Sequence, residues 1–168
     1  MPERHWSSKS AALLICAFWA VVGCTTGGAR QPSSVELTPE GLAQWERQDA
    51  ELQARANTAY ELYQQDQSLE VLRVYELEIR KYLDHGFALY RSYRRAKQEP
   101  PSDLVRSLEQ REALLMDVAD EYIKQGSLAK GEGIAAEVVH DYSDLPALTP
   151  AQRRAEALLL RYRYRQDY

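Results

Sequence analysis

EALLMDVADEYIKQGSLAKGEGIAAEVVHDYSDL, residues 112–145, decides the fold. Its apolar and small residues recur at helical spacing: Leu115, Ala119 and Tyr122 on one turn-by-turn face, then Ala135 and Val138 on a second. Gly126-Ser127 interrupts the first run where the chain must reverse, because glycine enters the left-handed conformation that ends a helix. The stretch therefore predicts two antiparallel helices, 103–125 and 128–142. Gly131 and Gly133 sit inside the second, where each costs roughly 1 kcal/mol relative to alanine. Close approach of a neighbouring helix is the usual compensation.

The same period extends outward in both directions. Thr38-Pro39 supplies an N-cap and a first-turn proline for a helix to about Asp66, with Leu42, Trp45, Leu52, Ala56, Ala59 and Tyr63 on its inner face. A helix over 69–85 aligns Leu72, Tyr75, Ile79 and Tyr82, and His85-Gly86 reads as its stop. A shorter helix then covers 87–98, ended by Pro100-Pro101. Asp144 to Pro150 is a turn. Thr149-Pro150-Ala151-Gln152 has the threonine, proline and N3 glutamine of a capping box, opening a last helix toward the C-terminus. No segment alternates with period two for long enough to demand a strand, so the expected class is all-α, a small antiparallel helical array over 38–168.

Residues 112–145 resemble a tetratricopeptide repeat. Leu115, Ala119 and Tyr122 fill the first helix of that pattern, Gly126 the turn, Gly131 the small slot of the second helix, and Ala135 and Val138 the next contacts. Ala135 stands where an aromatic is usual and Ser143 where a proline is usual. The match covers about a fifth of the chain, upstream segments fit the register poorly, and a plain helical hairpin is the other reading of the same residues. The resemblance implies TPR-like hairpins stacked into a scaffold with a protein-binding concave side. The chain has room for three helix pairs, about the number a repeat array needs.

The N-terminus sets a different expectation. Ala11 to Val22 is an uncharged run of twelve residues, short for a span of roughly 20. It follows Arg4 and Lys9, the layout of a secretory signal. Val21-Val22-Gly23-Cys24 resembles the lipobox of bacterial lipoproteins, with Val22 where alanine, serine or threonine is commoner. The resemblance implies cleavage between Gly23 and Cys24, a signal peptide over 1–23 and a covalent lipid (diacylglycerol, then a palmitate-type acyl chain) on Cys24. Residues 24–37 then form the lipidated cysteine and a flexible tether. Residues 25–37 reach about 45 Å when fully extended. Thr25-Thr26, with no aspartate after the cysteine, points by analogy to the outer membrane, facing the periplasm. The lone remaining cysteine, Cys16, leaves with the signal, so no disulfide or cysteine metal site is expected.

Without residues 1–23 the chain keeps 24 acidic and 19 basic side chains, a balance that argues against nucleic acid. His85 and His140 stand at expected helix ends, where a cation suits the dipole, and no ligand set accompanies either. GxSxG, HExxH and phosphate-binding glycine loops are absent. Carboxylates such as Glu76 and Glu78, with Arg80 and Tyr82 four residues on, read as solvated faces with minor i,i+4 pairing. No catalytic, metal or cofactor site and no small-molecule substrate is therefore expected.

All eleven tyrosines lie beyond residue 24. Two clusters interleave them with cations: Tyr90, Arg91, Tyr93, Arg94, Arg95 and Lys97, and the terminal Arg161-Tyr162-Arg163-Tyr164-Arg165. Arg and Tyr are enriched at interfaces, so both are candidate interaction surfaces. For Tyr90 and Tyr93 a core position with flanking solvated arginines is the simpler reading. The functional expectation is a lipid-anchored helical adaptor for an envelope protein in assembly, secretion or cell-wall maintenance. A lipoprotein regulating a cell-wall enzyme or sensor, or a cell-wall- or lipid-modifying enzyme with a carboxylate site, are the alternatives.

Overall fold

The computed structural model describes residues 34–145 and 149–166, with side chains as far as Arg161. Five helices and no strand occur among them: α1 Pro39–Gln65, α2 Leu69–Arg95, α3 Ser102–Lys124, α4 Leu128–His140 and α5 Pro150–Gln166. The chain is an all-α array. The signal peptide, Cys24 and the tether up to residue 33 lie outside the described residues, as do 146–148 within the expected turn and the side chains of Tyr162, Arg163, Tyr164 and Arg165.

Local chemistry starts and stops these helices. Thr38 accepts from the Gly41 amide at 3.1 Å to cap α1, and Ser68 accepts from the Val71 amide at 3.4 Å to cap α2. At α5 the capping box is reciprocal: the Gln152 amide donates to Thr149 Oγ1, and the Thr149 amide to Gln152 Oε1, each at 3.1 Å. α3 ends at Gly126 with φ 82°. Ser127 there donates back to the Tyr122 carbonyl at 2.8 Å. α2 ends in the same way with Lys97 at φ 56°, as Gln98 donates to Tyr93 O and Lys97 to Arg94 O.

α2 does not stop at His85-Gly86, and no separate helix begins at 87. Gly86 is a contact position instead. A Cβ there would lie 2.7 Å from Leu108 Cδ2 and 2.8 Å from Arg111 Nη1 of α3, so its bare backbone lets the two helices close together. His85, now mid-helix, joins α2 to α1. Its ring stacks on Trp45 with centroids 5.0 Å apart and planes 3° from parallel, and Trp45 Nε1 donates to the His85 carbonyl at 3.1 Å.

Each helix packs on the next, and α3 also meets α5. Leu72, Tyr75, Ile79 and Tyr82 are all buried, as are Leu108, Leu115, Ala119 and Tyr122. Gly131 serves the close approach expected of it, since a Cβ would fall 2.8 Å from the Ala119 carbonyl oxygen. Gly133 opens onto free space and serves no packing contact.

Candidate functional site

α2 packs against both α1 and α3, while those two face each other only through side chains, which leaves a groove above α2. Its volume is about 740 Å³. Tyr75 and Ile79 of α2 lie beneath Ala56 and Tyr60 of α1 and Leu114 and Asp117 of α3. Tyr60 is nearly half exposed. Its ring centroid is 5.5 Å from that of Tyr75, tilted 49°, and the Tyr63 ring stacks on Tyr75 from 6.3 Å. Three tyrosines thus line the groove ring against ring, Tyr60 exposed and Tyr63 and Tyr75 buried behind it.

Polar groups close the ends. The Tyr63 hydroxyl donates to Glu121 Oε2 at 2.9 Å and accepts from Gln125 Nε2 at 3.1 Å; Gln125 also donates to the Gln67 carbonyl at 3.0 Å. At the other side Arg154 of α5 pairs with Asp117 at 2.7 Å and with Asp120. Burial pushes the Tyr75 hydroxyl up to about 12, helped by the field of Asp117. Burial and the Glu121 carboxylate raise Tyr63 likewise. Both rings stay neutral at ordinary pH, so they offer aromatic area and a hydroxyl rather than an anion. Among the described residues no group of three His, Cys, Asp or Glu side chains is placed to hold a metal ion.

Two carboxylates are buried, and one of them, Glu76, was expected on a solvated face. Glu76 is 5% exposed and accepts from Tyr122 at 2.8 Å, Arg80 at 2.8 Å and Lys130 at 2.8 Å, with Arg80 also bonded to Glu137 of α4. Burial alone would raise its pKa, but the three donors outweigh it and hold Glu76 below the usual carboxylate range. The i,i+4 pair with Arg80 exists, then, as one part of a network across α2, α3 and α4. Glu112 is wholly buried and meets α5: Thr149 Oγ1 donates to it at 2.5 Å and Gln152 Nε2 at 3.3 Å. Desolvation pushes its carboxyl up to about 7 against those two donors, with a further push from Glu109.

The structure gathers Tyr90, Arg91, Tyr93 and Arg94 at the C-terminal end of α2. Tyr90 is buried against Phe87, its hydroxyl donating to the Asp144 carbonyl at 2.9 Å. Arg91 bonds Asp144 Oδ2 at 2.7 Å and the Asp141 carbonyl at 3.0 Å. Tyr93 packs half-buried on the core, while Arg94 is exposed. In the terminal cluster Arg161 is exposed on α5; Tyr162, Arg163, Tyr164 and Arg165 have side chains outside the described residues, and so does Cys24. His140 ends α4 and is no part of the groove. The groove itself was missed in the sequence. Its only signal was the i,i+3 pair Tyr60 and Tyr63 with Tyr75 downstream, and the spacing does not say that three helices bring the rings together.

No protein-family model, curated protein or solved structure matches the chain. What fold and geometry define is the class: an all-α helical array with an aromatic groove open on one face.

Proposed function

We propose that this protein is a lipid-anchored helical adaptor, held by acylated Cys24 to the periplasmic face of the outer membrane and binding an envelope protein through the α1–α3 groove. The observation that carries the binding half is the groove, with Tyr60 half exposed above buried Tyr75. Tyrosine rings give a large contact area for little lost side-chain freedom, and such residues dominate binding energy at interfaces. Stacked helices whose odd members line one face suit an extended or helical peptide, as the tetratricopeptide-like pattern at 112–145 implies. The anchoring half rests on Val21-Val22-Gly23-Cys24. More than one acyl chain is needed for stable attachment, which a fully acylated cysteine supplies.

The test is site-specific photocrosslinking in intact cells, with the crosslinking residue at Tyr60 or, as control, at partly exposed Glu132 on α4. A protein adduct from position 60 and none from 132 is expected, and Tyr60→Ala should weaken capture about tenfold. Adducts equal at both positions would end the groove reading. Labelled palmitate should enter the wild type and not Cys24→Ala; label in the substituted chain would end the anchor reading.

A further inference from the structure

The C-terminal end of α2 holds four cations within seven residues, Arg91, Arg94, Arg95 and Lys97, in a chain whose net charge is −4. Arg91 is engaged with Asp144. Arg94, Arg95 and Lys97 are exposed, and among the described residues none of the three has an acidic partner. With Tyr90 and Asp144, the arginines line a shallow hollow of about 400 Å³. Asp144 is engaged by Arg91, while Glu36, next to Val35, and Glu99, two residues after Lys97, are exposed carboxylates on the adjoining stretches.

A second observation concerns the first residues described. The described chain begins beside it: the Val35 amide donates to Ser92 Oγ at 3.0 Å, and buried Ser92 is held in turn by the Ala88 carbonyl at 2.9 Å. Val35 and Leu37 pack on the core. Arg95 is one helical turn beyond Ser92, a rise of about 4.5 Å. The first described residues therefore lie within about a turn of the arginines. Ten residues lie between Cys24 and Val35. Such a length spans at most about 40 Å.

We propose that Arg94 and Arg95, supported by Lys97, bind the phosphodiester headgroups of anionic phospholipid in the membrane that carries the anchor. The inference rests on the lipid-anchor reading for its biological setting. Physically, a short connection keeps the cations at high effective concentration over the bilayer, and each cation close to an anionic surface favours binding roughly fivefold. Guanidinium forks pair with phosphate oxygens in bidentate fashion. The contact turns the domain so that the α2 end faces the lipid.

The experiment uses the full chain carrying Cys24→Ser, so acylation plays no part and a failed lipidation assay is a separate result. Sedimentation is measured with vesicles of phosphatidylethanolamine alone and of phosphatidylethanolamine with phosphatidylglycerol. The parent should bind the second kind better, and salt should weaken that binding. Arg94→Glu with Arg95→Glu should bind phosphatidylglycerol vesicles about thirtyfold less, with an unchanged melting curve, while Arg94→Lys with Arg95→Lys keeps most of the binding. Equal binding by parent and reversed chain overturns the proposal. So does equal binding of the parent to both vesicle types, and binding to neither overturns it in favour of an acidic protein face.

Discussion

Arg111 and Glu112 are neighbours on α3, both fully buried, and the two halves of the molecule treat them in opposite ways. Arg111 turns toward α1 and α2. Its guanidinium forms a two-pronged pair with Asp49 at 2.8 and 2.7 Å, donates to the Tyr82 carbonyl at 2.7 Å and lies 3.6 Å above the Tyr82 ring centre. Glu112 turns toward α5 and finds a hydroxyl and an amide but, among the described residues, no cation. One charge is balanced by an opposite charge; the other is relieved by taking up a proton near neutral pH. Buried ions need a full partner set, and losing one partner costs far more than the pair contributes. The α1–α2–α3 half is thus held by a charge pair, while the docking of α5 is tied to a titration.

The largest expected effect tests the paired half. Asp49→Ala leaves the Arg111 guanidinium buried without its counter-charge and should cost about 3–5 kcal/mol of unfolding free energy in denaturant titrations. A loss under 1 kcal/mol would mean that Arg111 escapes to solvent and the contrast collapses.

Glu112 should give the next largest effect. Its folded pKa of about 7 lies above its ordinary value of 4.5. The stability it contributes is therefore complete below pH 4.5 and is lost as pH rises through 7. Each unit of such a difference is about 1.4 kcal/mol, so a few kcal/mol should vanish across that window. Thermal melts of wild type and Glu112→Gln as a function of pH check this: the wild type should fall more steeply than the variant between pH 5 and about 8. Parallel curves would show that the carboxyl keeps one protonation state throughout.

The smallest effects grade three of the helix glycines. Gly131→Ala sets a Cβ 2.8 Å from the Ala119 carbonyl, backbone that cannot rotate away, and should cost about 1–3 kcal/mol. Gly86→Ala meets only the ends of the Leu108 and Arg111 side chains and should cost less, although Asp49 restrains the arginine. Gly133→Ala meets nothing and should add up to about 1 kcal/mol through helix propensity. Melting temperatures rank all three, and a stabilised Gly131→Ala would overturn the close approach of α4 to α3.

Particular residues show how far the sequence could be read. Thr38, Ser68, Gly126 and the Thr149–Gln152 box mark helix ends because their bonds reach two to five residues along the chain. The inner faces of α2 and α3 follow from the helical period. Gly86 misled because one residue type serves both helix endings and helix crossings, and only the presence of Leu108 and Arg111 separates the two uses. The basic group at 90–97 was visible as composition; that the chain enters the fold beside it, through Val35 and Ser92, was not.

By itself, then, the sequence determined an all-α chain and most of its helix boundaries, since hydrogen bonds within a turn and a repeating apolar face are local properties. Tertiary structure alone decided which charged side chains are interior. Asp49 and Arg111 are 62 residues apart and Glu112 and Thr149 are 37 apart. A carboxylate on a helix carries no local mark of whether another helix will cover it. The aromatic groove has the same origin, because it exists only where α1 and α3 stand off from each other across α2.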